Sequence, residues 1–232
     1  MSIKENIEKI EKNITLAAQK SGRKREDILL LAVTKTVEIE RMEEAKQLGL
    51  TQFGENKPQE ISRKYPLIDG VKWHQIGHLQ TNKVKNVIDK VCLIHSVDSL
   101  KLGNEISKRA QALGIVSNVL VEVNIARDEA KHGVDPNETV TIVTQLSKLP
   151  SICVKGLMTV APYTPDPEEN RKYFREMYKL YIDIGAKKYD NVSMEYLSMG
   201  MTNDYIVAIE EGANIVRIGT GIFGQRDYTK IG

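Results

Sequence analysis

The apolar run Leu29-Leu30-Leu31-Ala32-Val33 leads into Thr34-Lys35, which puts a primary amine at the end of a segment of strand length. At the rim of a low-dielectric interior an ammonium is disfavoured, and a neutral amine is the form that attacks a carbonyl to give a Schiff base. The competing reading is a lysine snorkelling off a strand end into water. Far along the chain two further segments follow short apolar runs, Ser198-Met199-Gly200-Met201-Thr202 and Gly219-Thr220-Gly221. Glycines let backbone N–H groups approach phosphate oxygens, and Ser198, Thr202 and Thr220 add hydroxyl donors. Either segment alone reads equally well as a tight turn; the two together favour a phosphate cradle. An amine across from a phosphate cradle suits a cofactor with an aldehyde at one end and a phosphate at the other, which describes pyridoxal 5′-phosphate. Arg217, inside the last apolar run, would then face the ring. A guanidinium does not give up its proton, so it leaves a pyridine nitrogen unprotonated and the cofactor a weak electron sink. The alternative for Arg217 is a surface charge paired with Glu210 or Glu211.

These residues need a scaffold that gathers distant segments. Eight candidate strands alternate with helical stripes: 28–35, 52–54, 72–77, 92–96, 118–124, 153–160, 194–199 and 215–219. The intervening stripes are Ile39, Met42 and Ala45; Val84 and Ile88; Ile106, Ala110 and Leu113; Val140, Val143 and Leu146; Phe174, Met177 and Tyr181; Ile206 and Ile209. Pro58 suits the first position of a helix, and Gly49, Gly114 and Gly212 suit C-terminal caps. Repeated βα units predict a parallel sheet covered by helices, and eight of them in about 200 residues match a small closed barrel. A doubly wound open sheet competes, but its first turn would carry GxGxxG, where this chain has Val33-Thr34-Lys35-Thr36-Val37. The expectation is α/β, a single (β/α)8 TIM-type barrel over 25–232 preceded by an amphipathic helix within 1–24. In that helix Ile3, Ile7, Ile10, Ile14 and Ala17 share one face, while Glu5, Glu8 and Glu11 argue against a mitochondrial presequence. A barrel gathers its working residues at the C-terminal ends of the strands, and phosphate sites favour the loops after strands seven and eight.

Composition excludes other classes. The 232 residues are 41% hydrophobic and 28% charged, with a formal net charge of +2 from 33 basic and 31 acidic side chains. There is no broad field for nucleic acid or an anionic membrane, and no apolar run nears the roughly 20 residues of a spanning helix. Cys92 and Cys153 stand alone, predicting neither disulfide nor zinc cluster and a reducing, cytoplasmic home. His74 and His78 have no third ligand at useful spacing in sequence, so no metal is expected. Lys131 reads as a solvated loop lysine or as a second amine near the mouth. Pro162, Pro165 and Pro167 stiffen one loop at the working face.

The chain from about Ile28 to Tyr228 resembles the pyridoxal phosphate homeostasis proteins, also called proline synthetase co-transcribed proteins. The resemblance rests on Ala32-Val33-Thr34-Lys35, Phe53-Gly54-Glu55-Asn56 with Gln59-Glu60, the run Trp73 to Lys83, Lys131-His132-Gly133, Gly156-Leu157-Met158-Thr159, Ser198 to Asp204, and Val216-Arg217-Ile218-Gly219-Thr220 with Phe223-Gly224. It implies a barrel like the N-terminal domain of alanine racemase, an aldimine on Lys35, phosphate contacts from Ser198, Thr202, Gly219 and Thr220, a ring-nitrogen contact from Arg217, and Asn56 beside the ring hydroxyl. His78 departs from the family pattern and receives no role.

The function implied is storage, carriage or delivery of the cofactor in vitamin B6 homeostasis, with PLP-dependent apo-enzymes as recipients and no turnover. The alternative is a small amino-acid racemase, which needs an acid/base group on each face of the substrate α-carbon. With no second domain in sight, Tyr163 or Tyr205 would have to serve. A vacant barrel acting only as an interaction protein is the third class. A monomer is expected, since no long exposed apolar stripe asks for a partner.

Overall fold

A computed structural model describes residues 2–224. The end of the family resemblance, to Tyr228, lies outside them. Eight parallel strands close in sequence order: β1 (Leu29–Val33), β2 (Gln52–Glu55), β3 (Lys72–Gln75), β4 (Val91–Val97), β5 (Ser117–Glu122), β6 (Ile152–Met158), β7 (Val192–Met201) and β8 (Ile215–Ile218). Pairing of β1 with β8, Leu29 opposite Ile215 through Ala32 opposite Ile218, shuts the ring. All eight expected strands are present.

Alternation divides the side chains of each strand. Leu31, Leu93, Leu120, Met158 and Ile215 fill the barrel interior. Residues of opposite parity, such as Phe53, Ile94, Val121, Leu197 and Met199, pack outward against the helices. Those helices are α1 (Ile3–Lys20), α2 (Ile39–Gln47), α3 (Pro58–Lys64), α4 (Leu100–Leu113), α5 (Thr139–Leu146), α6 (Arg171–Gly185), α7 (Tyr205–Glu210) and α8 (Thr220–Phe223). Pro58 opens α3, and Gly114 caps α4 in the left-handed conformation at φ 66°, as their positions in the sequence predict.

Three expectations need correction. The segment with Val84 holds a 3-10 helix, Thr81–Asn86, with Ile88 just beyond it, so the β3–β4 connection carries no α-helix. The α7 stripe is out of phase: Ile206 is exposed while Tyr205, Val207, Ala208 and Ile209 are buried. Strand β1 ends at Val33, and Lys35 stands in the turn beyond it.

The leading helix docks on its own barrel. Ser2 and Glu5 form a capping box at its start, and Ile3, Ile7, Ile10, Ile14 and Ala17 are buried. Asn6 donates to the Ile222 carbonyl at 2.9 Å and Asn13 to the Tyr205 hydroxyl at 2.9 Å, which fastens α1 beside the β7 and β8 loops.

Candidate functional site

The C-terminal mouth of the barrel collects Lys35, Asn56, Thr202, Gly219 and Thr220. Lys35 is exposed, so burial is not what prepares its amine, contrary to the expectation from its apolar run. Its turn is held from below. The Thr34 N–H donates to the Gly54 carbonyl at 3.0 Å, and the Thr34 hydroxyl donates to Glu55 Oε1 at 2.8 Å. Lys64 Nζ, at the end of α3, donates to the Thr34 carbonyl at 2.8 Å and to Glu55 Oε1 at 2.7 Å. Glu55 and Lys64 are both fully buried. Thr36 then turns the chain with φ 62°, in the left-handed region. Asn56 follows Glu55, and its carbonyl accepts from Gln75 Nε2 at 3.0 Å. A Cβ on Gly77 would lie 2.5 Å from that oxygen, so the ends of β2 and β3 close up only because Gly77 has none.

On the neighbouring side, the Thr202 hydroxyl accepts from the Thr220 hydroxyl and from the Gly221 N–H, each at 3.2 Å. A Cβ on Gly219 would press to 3.3 Å on Val33, and one on Gly221 to 2.9 Å from Ile218, so both turns draw on the absence of a side chain. Because β8 pairs with β1, this cradle lies beside the Lys35 turn rather than across the mouth from it. A cleft of about 390 Å³ opens there, lined by Thr202, Thr220, Gly221 and, from α1, Asn6, Lys9 and Ile10. Lys9 adds a cation to the lining of this cleft.

The segment 198–201 sits differently from the loop expected. Strand β7 continues through Met201. Met199 is fully buried in the layer between barrel and helices, and the Met201 N–H donates to Asp204 Oδ1 at 2.7 Å. Gly200 has φ 90°, and a Cβ there would lie 2.6 Å from that of Ala208. The Ser198 hydroxyl is fully buried and points to the barrel interior, where Arg217 Nη1 donates to it at 2.7 Å. The Ser198 side chain and the Met201 N–H are thus engaged within the protein, while Thr202, Gly219 and Thr220 stand at the turns of the mouth.

Arg217 is 4% exposed and also donates to the Thr159 carbonyl at 2.8 Å. Burial lowers its pKa to about 10, partly opposed by Glu122 and Asp204, so it remains a cation at neutral pH. Glu210 and Glu211 pair instead with Arg171 at 2.7 and 2.9 Å, which removes the surface-pair reading. Beneath Arg217 a chain of hydrogen bonds crosses the barrel. Ser198 Oγ lies 3.0 Å from His95 Nδ1, His95 Nε2 lies 3.0 Å from His74 Nδ1, and His74 Nε2 lies 2.9 Å from Gln52 Oε1. Gln52 Oε1 only accepts, so neutral His74 donates from Nε2 and accepts at Nδ1 from His95 Nε2–H, and His95 Nδ1 accepts from the Ser198 hydroxyl. Burial keeps them neutral: His74 is pushed down to about 3 and His95 well below its ordinary value. His74 therefore serves this chain and not a metal. His95 escaped the sequence reading because an ordinary strand residue gives no signal of facing inward.

Glu122, the last residue of β5, was likewise missed, since the strand was expected to run to Asn124. It is 9% exposed, its Oε2 has no partner, and burial together with the negative charge of Asp98 raises its pKa from 4.5 to about 7. A carboxyl raised in this way contributes stability that is fully present below about 4.5 and is lost as pH rises through about 7. The shift corresponds to roughly 3 kcal/mol across that window. Glu122→Gln is expected to flatten the decline in Tm between those values. An unchanged slope would show that the carboxyl is already compensated.

Across the mouth Lys131 Nζ donates to the Ala161 carbonyl at 3.2 Å, bringing that lysine to the β6 end. The proline loop is tied to the segment after β7, with Asn203 donating to the Thr164 carbonyl at 2.8 Å, and Asn170 donating both to the Pro162 carbonyl and to Asp204 Oδ2 at 2.9 Å. Among the described residues no helix is long and apolar enough to cross a membrane. Both cysteines are free thiols.

An amine on one strand end, hydroxyl and glycine donors on the two preceding ones and a buried guanidinium between them fit a molecule bearing an aldehyde, a ring nitrogen and a phosphate. Comparison with known proteins points the same way. The alanine racemase N-terminal domain family matches residues 6–227. A pyridoxal phosphate homeostasis protein of Aquifex aeolicus is 44% identical over 230 residues, covering 98% of this chain and all of that one. The structure of PipY of Synechococcus elongatus PCC7942 with PLP bound superposes with a TM-score of 0.83 at 28% identity, over 96% of this chain and 100% of that one. An alanine racemase from Corynebacterium glutamicum shares the fold, with a TM-score of 0.71 at 15% identity over 94% of this chain and 61% of the enzyme.

Proposed function

The chain belongs to the pyridoxal phosphate homeostasis protein family, and from that membership we propose that it binds pyridoxal 5′-phosphate on Lys35 and carries it in reserve for apo-enzymes. The observation that carries this reading is the Lys35 turn standing beside Thr202, Gly219 and Thr220, since β1 and β8 are paired neighbours. The cofactor supplies an aldehyde that condenses reversibly with a primary amine, releasing water, and a phosphate that anchors it. Lys35 is the amine. Thr202, Thr220 and the N–H groups around Gly219 hold the phosphate, with Gly200 giving the backbone room at the β7 end. Arg217, fixed by Ser198 and Thr159, keeps a cation toward the ring nitrogen, and Asn56 stands toward the ring hydroxyl. Ser198 supports Arg217 from the barrel interior, Met199 packs behind the strand, and Met201, exposed at the end of β7, fixes the turn through its N–H to Asp204.

A carrier needs reversible capture and nothing more, and the tyrosines agree. Tyr205 is 6% exposed with its hydroxyl bonded to Asn13, and Tyr163 is 87% exposed on the proline loop, so neither is set as the second base of a racemase. We take residues 1–232 as one cofactor-binding domain acting as a monomer in the cytoplasm, where free thiols persist.

Protein reconstituted with the cofactor and freed of excess by gel filtration is expected to retain it with visible absorption, and to restore activity to a PLP-dependent apo-enzyme on mixing. Loss of all colour on filtration would overturn the reading. Deuterium exchange at the α-carbon of alanine or serine by the loaded protein would replace carriage with turnover.

A further inference from the structure

Three strand ends bring a separate set of ligating side chains to the rim of the mouth. His78 follows β3, Asp98 follows β4, and His132 lies in the loop after β5. His78 Nδ1 is 3.2 Å from Asp98 Oδ2. The His78 and His132 rings stack with centroids 3.8 Å apart and planes 11° from parallel. One ligand atom from each of the three residues lies within 4.8 Å of the other two.

We propose that His78, Asp98 and His132 form a binding site for a zinc-type divalent cation. Zinc takes imidazole nitrogen and carboxylate oxygen at about 2.0–2.2 Å, which sets neighbouring ligands of a tetrahedral ion roughly 3.3 Å apart. The His78–Asp98 pair already has that spacing. The third ligand comes within range when the two exposed rings turn out of their stack, a rotation that crosses no packed core. Two nitrogens and one oxygen select zinc, nickel or copper over calcium and magnesium, which require oxygen. A fourth position faces solvent and takes water.

The backbone under each ligand is pinned. A Cβ on Gly77 would meet the Asn56 carbonyl oxygen at 2.5 Å, and one on Gly133 would meet the Asn124 nitrogen at 2.7 Å. Only glycine allows these approaches, and each stands next to one of the histidines. Asp98 precedes Ser99, whose hydroxyl accepts from the Leu102 N–H to start α4. Lys57 and Lys83 line the cleft on the far side of His78 along with Glu60, so the attraction is local to the Asp98 side. A bound ion would tie the loop carrying Lys131 to the ends of β3 and β4.

The test uses untagged protein, as purified and again after loading with cofactor. Titration with cobalt(II) should give the visible bands of a low-coordinate nitrogen and oxygen site, displaced by zinc, and zinc calorimetry should show saturable binding. His78→Ala, His132→Ala and Asp98→Asn are each expected to weaken zinc by about tenfold or more, with unchanged far-UV circular dichroism. Magnesium and calcium should not compete. Absence of saturable zinc binding, or binding unaltered in the three variants, would overturn the site.

Discussion

Lys35→Ala is expected to abolish covalent attachment of the cofactor, so that borohydride treatment of the loaded variant adds no mass while the wild-type protein gains that of the reduced adduct. The effect is all or none because the bond needs a primary amine at one place. The Lys35 turn is defined by Thr34 below it and the left-handed Thr36 after it, and a methyl group cannot replace the primary amine in the reaction. Some non-covalent retention should survive through Thr202, Thr220 and Arg217, which the substitution leaves untouched. Folding should be unaffected, since Lys35 is exposed. If the variant still gains mass, the first alternative amine is Lys131, whose Nζ already reaches the β6 end. Lys131→Ala alone and combined with Lys35→Ala would then separate the two.

Lys64→Met is expected to destabilise the protein by about 3–5 kcal/mol in denaturant unfolding, because it strands a buried carboxylate. Glu55 and Lys64 have no exposed side-chain surface and stand 2.7 Å apart. Burial pushes the Glu55 carboxyl upward while the Lys64 ammonium draws it back. Glu55 Oε2 has no partner of its own, so once Lys64 is gone the neutral Thr34 hydroxyl on Oε1 is the carboxylate's remaining side-chain donor among the described residues, with no cation to offset the charge. Pairing the change with Glu55→Gln should cost much less than the sum of the single changes, as expected for two groups that satisfy one another. A functional effect should accompany the loss of stability. The Thr34 carbonyl is held by the same ammonium at 2.8 Å, so amide exchange should quicken around residues 34–37 and capture of the cofactor should slow. A cost below about 1 kcal/mol would mean that water takes the place of the ammonium.

Much of the architecture could be read from residue order. Alternating strand and helix patterns carry a period that local side-chain geometry imposes, so all eight strands were identifiable. Ends were less legible, as Lys35 and Met201 illustrate. A strand stops where its neighbour stops pairing, and the neighbour is distant in sequence. Lys35, Thr202, Gly219 and Thr220 stood out because their types and their places at strand ends carry chemical meaning. Ser198 bore the same signal, yet its parity on β7 turns it inward to Arg217 and His95.

Residue order by itself therefore marked the eight βα units, the leading helix and the class of cofactor, since period, glycine placement and functional group are local properties, while closure into a barrel rests on the pairing of β1 with β8. Only the closed sheet decided which polar side chains face one another. It buried Lys64 against Glu55, threaded His74 and His95 beneath Arg217, set Lys35 beside the cradle and brought His78, Asp98 and His132 together. Each of these depends on register between strands tens of residues apart, and burial, the force that makes a charge or a ring demand a partner, exists only after the ring of strands has closed.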